Sequence, residues 1–201
     1  MYKFVLATHN DNKRAEIEEI FRKNFTGDFI FVPGVDPGEV IEDGETIEEN
    51  ARIKAHAWLS VNPDCIAIAD DTGLFVDAIE GRPGIWAARY AGENATYDDN
   101  CNKLLEELSS VSKENRTARF STCAIAAGKN INDVVAIGNI EGIISSEKTG
   151  DSGFGYDPIF IPTDYGNDKT YSQLGNEYKN SYSHRSKAFR SLVMGILNSK
   201  L

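Results

Sequence analysis

Cysteine is scarce in this chain. Its 201 residues hold three, Cys65, Cys101 and Cys123, an odd number with no C-x-x-C pair. Neither a disulfide framework nor a zinc site follows, and each is expected as a small buried apolar residue. Long apolar runs are missing too, since nothing approaches the ~20 residues a membrane-spanning helix needs. The opening MYKFVLATHN has one lysine and a short apolar stretch, which reads as a first strand and not as a signal peptide. A cytoplasmic protein with no membrane partner is expected. Positive charge is in deficit: 21 Lys and Arg against 31 Asp and Glu leave a net charge of −10. No basic stripe is present for polymeric nucleic acid. A small anion needs only a few well-placed cations, and an acidic chain can also hold Mg²⁺.

What is present is an ordinary globular composition, 41% hydrophobic and 26% charged, in a length that suits one domain with two lobes over residues 1–201. Lys3–Thr8 reads as a strand that leads into a polar turn, and Asn12–Lys23 places Ile17, Ile20 and Phe21 on one helical face. Phe29–Val32 is a second strand. Thr46-Ile-Glu-Glu49 fits a capping box that opens a helix to about Val61. Cys65–Ala69 is an apolar strand expected to end at Asp70. A helix starts after Thr96 and carries Leu104, Leu105 and Leu108. Ala118–Ala127 and Val134–Ile144 alternate as strands and read as a long hairpin, joined by a turn containing Gly128, Lys129 and Asn130. Ile159–Ile161 is a further strand. Ser183 can cap a last helix whose core face is Phe189, Leu192, Val193 and Ile196. Helices alternating with strands, then a hairpin, predict an α/β protein with a mixed sheet.

Five segments carry chemistry. Thr8-His9-Asn10-Asp11-Asn12-Lys13 lies between a strand end and a helix start, where free N–H groups and the helix dipole favour an anion. Asn10 is a donor and Lys13 a point charge there, although the turn also suits an ordinary asparagine cap. Asp70-Asp71-Thr72-Gly73 puts two carboxylates directly after an apolar strand, where like charges repel unless a cation lies between them. Mg²⁺, which takes a few carboxylates plus substrate phosphates, is the natural occupant; a solvated turn is the alternative. Glu42 in Glu42-Asp43-Gly44 could complete that metal site, and Lys54 on the next helix could reach a phosphate; a solvated charged loop and a surface lysine are the alternative. In Ser152–Pro158, Phe154 and Tyr156 are bracketed by glycines such as Gly155 and suit a base-stacking wall, with Asp157 as a polar reader; a tight turn with core aromatics fits equally. Finally, His184 and Arg185 stand at a helix start, with Lys179 upstream, and positive groups there oppose the dipole unless an anion or electron-rich acceptor is near; a solvated arginine and a histidine packed against a neighbour fit equally.

Together these residues resemble the inosine/xanthosine triphosphate pyrophosphatase family. The matching segments are THNDNK at 8–13, EDG at 42–44, ENARIKA at 49–55, ADDTGL at 69–74, GRPGIWAARY at 81–90, GFGYDPIF at 153–160 and SHR at 183–185, in the family's order and over nearly the whole chain. The resemblance implies a two-lobed α/β fold around an elongated mixed sheet with a central cleft, assembled as a homodimer. It implies Mg²⁺-dependent hydrolysis of ITP, dITP and XTP to the monophosphate and pyrophosphate, which cleanses nucleotide pools. Thr8 to Lys13 and Lys54 would cradle the triphosphate. Asp71 would be the general base, with Glu42, Asp70 and Asp71 around Mg²⁺ and Thr72 touching substrate. Phe154 to Asp157, Lys179, His184 and Arg185 would line the base and sugar pocket, where donors such as Arg185 suit a C6 oxygen. His9 stands where the family usually has Gly, and Thr72 where it has Ser. A related pyrophosphatase for other modified nucleotides and a nucleotide sensor without turnover are the competing readings.

Overall fold

The computed structural model describes residues 1–129, 132–164, 166 and 168–199. In chain order the elements are β1 (Tyr2–Leu6), α1 (Asp11–Asn24), β2 (Phe29–Val32), α2 (Ile47–Val61), β3 (Ile66–Val76), β4 (Pro83–Gly84), α3 (Tyr97–Glu107), β5 (Thr117–Ala127), β6 (Val134–Ile144), β7 (Phe160–Pro162), α4 (Tyr171–Tyr182) and α5 (His184–Asn198). The strands form one mixed sheet in the order β2-β1-β3-β5-β6-β7, with β4 beside β3. The chain divides into two compact units: Met1–Asp71, Thr122–Gly138 and Arg185–Leu201 make the first, and Thr72–Ser121 with Asn139–His184 make the second. Among the described residues, no helix is long and apolar enough to cross a membrane.

In the first unit β1 pairs in parallel with β2 and β3, the last β1–β3 partners being Leu6 and Ile68. Period-two alternation buries both faces. Phe4, Leu6, Ile68, Ala124 and Ala126 pack against Ile17, Ile20 and Phe21 of α1 and Phe189, Leu192, Val193 and Ile196 of α5. The opposite face, Val5, Ala7, Ala67, Ala69, Cys123 and Ala127, packs against Ala51, Ala55 and Trp58 of α2. Each large side chain fully buried in this way contributes about 1.5–3 kcal/mol of transfer free energy.

In the second unit β4 runs antiparallel to the end of β3, pairing Phe75 with Pro83, and β7 runs antiparallel to β6. Its core holds Leu74, Leu104, Leu108, Phe120, Ile140, Ile144, Phe160 and Tyr171. The buried Arg116 ties three carbonyls together, donating to those of Leu108, Val111 and Ser145. A capping box at Thr96 and Asp99 starts α3.

Four expectations change. β3 does not stop at Asp70 but runs to Val76, because Leu74 and Val76 continue the buried face beyond the acidic pair. α4 had no counterpart in the sequence reading; its start is a second capping box, Thr170 with Gln173, and Gly175 at φ 82° kinks it. Cys65 is only half-buried, whereas Cys101 and Cys123 are buried. Glu49 bonds the N–H of Glu45 rather than that of Thr46, although Thr46 does cap α2. The expected turn between β5 and β6 lies partly outside the described residues.

The Thr170 hydroxyl accepts from the Gln173 N–H and donates to the Thr149 carbonyl. Thr170→Ala is therefore expected to lower unfolding free energy by about 1–2 kcal/mol. A urea titration would read this as a lower midpoint at unchanged slope, and an unmoved midpoint would contradict the cap's role.

Candidate active site

β1 delivers the chain to a turn that α1 organises. The Asn10 side chain caps α1, its Oδ1 accepting from the N–H groups of Asn12 (3.0 Å) and Lys13 (3.2 Å). Thr8 Oγ1 accepts from the Asn10 N–H at 3.2 Å, and Arg14 donates to the Thr8 carbonyl at 3.1 Å. Asp11 and Asn12 are exposed on the first turn of α1, where the negative charge of Asp11 suits the dipole. His9 points outward: its Nε2 is 2.8 Å from Asp36 Oδ2 and its ring is 5.7 Å from that of Trp58. Among the described residues Glu80 is the non-glycine residue with positive φ, so His9 takes its place without left-handed backbone.

The acidic pair sits two residues past the last β1–β3 pairing, and Ala7 N–H still donates to the Ile68 carbonyl at 2.8 Å. Because β3 stays extended, Asp70 and Asp71 face opposite sides of the sheet. Asp70 follows Ile68 toward α1 and α5. Its Oδ2 lies 3.2 Å from Lys13 Nζ and 3.4 Å from both Nε and Nη2 of Arg185, whose Nη1 is 2.6 Å from Glu16 Oε2. Burial alone would raise the Asp70 carboxyl, but Lys13 and Arg185 reverse this and hold it well below the usual carboxylate range. Burial lowers the Lys13 ammonium in spite of Asp70, and Lys54 and Arg185 push the same way.

Asp71 follows Ala67 and Ala69 toward α2. Lys54, two helical turns into α2, stands 2.8 Å from Glu42 Oε2 and 4.0 Å from Asp71 Oδ1. Burial pushes the Asp71 carboxyl up to about 6 against the pull of Lys54 and Lys13, with Glu42 and Asp70 adding to the rise. Burial also works against the charge of Lys54, but Asp71 and Glu42 outweigh it and its pKa rises. The loop carrying Glu42 is fastened at both ends. Asn62 exchanges two hydrogen bonds with Val35, and Gly44 N–H donates to Asn50 Oδ1 at 2.9 Å. A Cβ on Gly44 would come within 2.8 Å of that Asn50 oxygen, so the glycine in EDG allows the close approach.

The second unit holds another cluster. Asp157 Oδ2 accepts from the Phe154 N–H at 2.8 Å and from Lys179 Nζ at 2.6 Å, and the same ammonium lies 4.0 Å from the Phe154 ring centroid. Gly153, at φ 81°, makes room: a Cβ there would lie 2.2 Å from Asp157 Oδ2. Tyr97 flanks the Phe154 ring at 5.9 Å. Gly155 accepts a bond from the Cys101 thiol, and Tyr156 is buried with its hydroxyl on the Ala87 carbonyl at 2.9 Å. His184 is buried and stacks on Phe120 at 4.5 Å. Thr72 is half-buried on β3.

The first unit thus gathers Lys13, Asp70 and Arg185 on one sheet face and Glu42, Lys54 and Asp71 on the other. The second gathers Phe154, Asp157 and Lys179. Arg185, expected to present donors to a base, directs three of them at Glu16 and Asp70. Sequence reasoning did not single out Glu16, Asp36 or Asn50. The available signal for Glu16 was its place three residues after Lys13, on the same helical face.

Residues 4–194 match the profile of the Ham1 family. This chain belongs to the Ham1 family. It is 43% identical to a dITP/XTP pyrophosphatase of Caldanaerobacter subterraneus subsp. tengcongensis over 98% of this chain and 97% of that one. A dITP/XTP pyrophosphatase of Bacillus anthracis is 42% identical over 96% and 95%. Among solved structures, the Staphylococcus aureus Ham1 protein superposes with a TM-score of 0.83 at 37% identity, covering 99% of this chain and 100% of its own. A Ham1 protein of Coxiella burnetii gives 0.82 at 33%, covering 98% and 100%. The mixed α/β sheet described above is therefore the Ham1 fold.

Asp157 balances a Lys179 side chain that is 3% exposed. Asp157→Ala would leave that ammonium buried without its carboxylate and should cost about 3–5 kcal/mol, with Asp157→Asn costing less because an acceptor remains. Chemical denaturation of both variants checks the order; equal stability of Asp157→Ala and the parent would contradict it.

Proposed function

We propose that this chain hydrolyses non-standard purine nucleoside triphosphates, ITP, dITP and XTP, to the monophosphate and pyrophosphate, and so clears them from the nucleotide pool. The observation that carries the reading is the division of labour at β3, in which Asp70 is locked to Lys13 and Arg185 while Asp71, with a carboxyl near 6, faces Glu42 and Lys54. The names of the relatives support the same activity.

Lys13 and Lys54, the two ammonium groups of this cluster, neutralise charge on the triphosphate. Asp71 is largely ionised at neutral pH yet basic enough to take a proton from water, which is what a general base requires. The water attacks the α-phosphorus, and the bond to the bridging oxygen breaks to release pyrophosphate. Positioning and charge neutralisation supply most of the barrier reduction. The donor set also bears on Mg²⁺. Glu42 and Asp71 offer hard oxygens around one ammonium, and Mg²⁺ takes one or two carboxylates together with substrate phosphates. Among the described residues no three of His, Cys, Asp and Glu converge, so those two would hold the ion without a full protein cage. Bound there, it would add Lewis-acid charge neutralisation.

Base recognition falls to Phe154, Asp157 and Lys179. The ring supplies a stacking face, and Lys179 is a donor suited to the C6 oxygen of hypoxanthine and xanthine, which adenine lacks. The same reading takes the acting form as a cytoplasmic homodimer without membrane or polymeric nucleic-acid partners, in keeping with the net charge of −10.

The test is a side-by-side assay of ITP, dITP, XTP, GTP and ATP with Mg²⁺, resolving pyrophosphate from phosphate. Pyrophosphate release with ITP, dITP and XTP preferred is expected. Tight binding without turnover would instead indicate a sensor, and preference for other modified nucleotides a related pyrophosphatase. In the same assay Asp71→Asn should lower turnover at least ~10²-fold; near-parental turnover removes Asp71 as the base.

A further inference from the structure

Glu16 is a buried acid that the mechanism above does not use. It lies on α1 one turn after Lys13, and Arg185 Nη1 stands 2.6 Å from its Oε2. The same guanidinium reaches Asp70 Oδ2 only at 3.4 Å, through Nε and Nη2, and Lys13 Nζ stands 3.2 Å from that oxygen. The order is acid, cation, acid, cation: Glu16, Arg185, Asp70, Lys13. All four belong to the first unit. The Arg185 and Asp70 side chains are 2% and 1% exposed, so water screens little of their interaction.

In such a chain the end groups decide how the middle ones are shared. Arg185 has a choice of two carboxylates, and the short contact to Glu16 keeps it back from Asp70. Deprived of the charge on Glu16, the guanidinium would close on Asp70 and draw on the same carboxylate that holds Lys13. It would also bring two cations together with a single acid between them. We infer that Glu16 is a positioning residue for the polyphosphate site: by holding Arg185 it reserves Asp70 Oδ2 for Lys13 and thereby fixes where the Lys13 ammonium stands. This rests on the reading of Lys13 as a polyphosphate-binding cation.

The probe is inorganic pyrophosphate, titrated by calorimetry into the full-length chain, with the KM and kcat for ITP measured in parallel. Glu16→Gln keeps size and an acceptor oxygen but removes the charge. It should weaken pyrophosphate binding about tenfold and raise KM by a similar factor, with kcat altered less than about threefold. Once Arg185 is gone the charge on Glu16 should no longer matter, so Glu16→Gln/Arg185→Met should bind pyrophosphate within about threefold of Arg185→Met alone. A purely structural role for Glu16 would make the double variant worse than either single one. Parental affinity in Glu16→Gln, or a double variant clearly weaker than Arg185→Met, overturns the inference. If Glu16→Gln fails to fold, the double variant decides alone by the same criterion, since it leaves no unmatched charge of this pair. Lys13→Met separates the two levels. Should it bind pyrophosphate as the parent does, the reading of Lys13 falls and the inference with it. Should it weaken binding while Glu16→Gln does not, only the inference about Glu16 falls.

Discussion

Asp70 and Asp71 are neighbours in sequence and face opposite sides of one strand. That separation depends on β3 remaining extended through both residues, which places Asp70 among Lys13 and Arg185 and Asp71 beside Lys54 and Glu42. Two adjacent carboxylates in a turn would repel each other in a shared volume and need a common counter-ion. On a pleated strand each has its own environment. One is compensated so fully that its ionised form is locked in. The other is buried with only partial compensation and keeps appreciable proton affinity. A pair of like groups pushed in opposite directions is how a fold can assign different roles to them: Asp70 anchors Lys13 and Arg185, and Asp71 keeps a carboxyl pushed up to about 6.

The surrounding structure serves that placement. Alanines at 67, 69, 51 and 55 line the α2 face, and small side chains there let the helix that carries Lys54 lie close to β3. The loop with Glu42 is held by Asn62 at one end and by Asn50 at the other, and Gly44 permits the second contact. On the α1 face, Asn10 spends its side-chain oxygen on capping the helix. What the turn offers an anion there therefore depends on side chains that tertiary contacts position, above all Lys13 through Asp70. The turn accommodates the His9 side chain by directing its ring to Asp36 and Trp58.

Much of this was legible in the sequence because local rules govern it. The Thr46 cap, the helix start after Thr96, the apolar faces of α1 and α5 and the bounds of β2 and β6 follow from capping and periodicity. What escaped has identifiable causes. Charge usually marks a turn and so suggests an end at Asp70, yet Leu74 and Val76 are fully buried and draw β3 on. α4 was hidden by its central Gly175, although Thr170 and Gln173 announce its start. Little in its local sequence singles out Glu16, and only the arrival of Arg185 from the far end of the chain makes it a buried partner. Tyr156 matched a stacking pattern, but its hydroxyl is committed to the Ala87 carbonyl. For Glu16 and Tyr156 a contact between residues distant in sequence overrode a sound local expectation.

Carboxyl-carbon NMR of the metal-free protein, titrated from about pH 3 to pH 8, reads the two acids separately. Asp71 should gain its proton as the pH falls through about 6, while Asp70 stays ionised for as long as the chain remains folded. If both carboxyls titrated together near the ordinary value for aspartate, the separation of their roles by the pleat of β3 would be refuted.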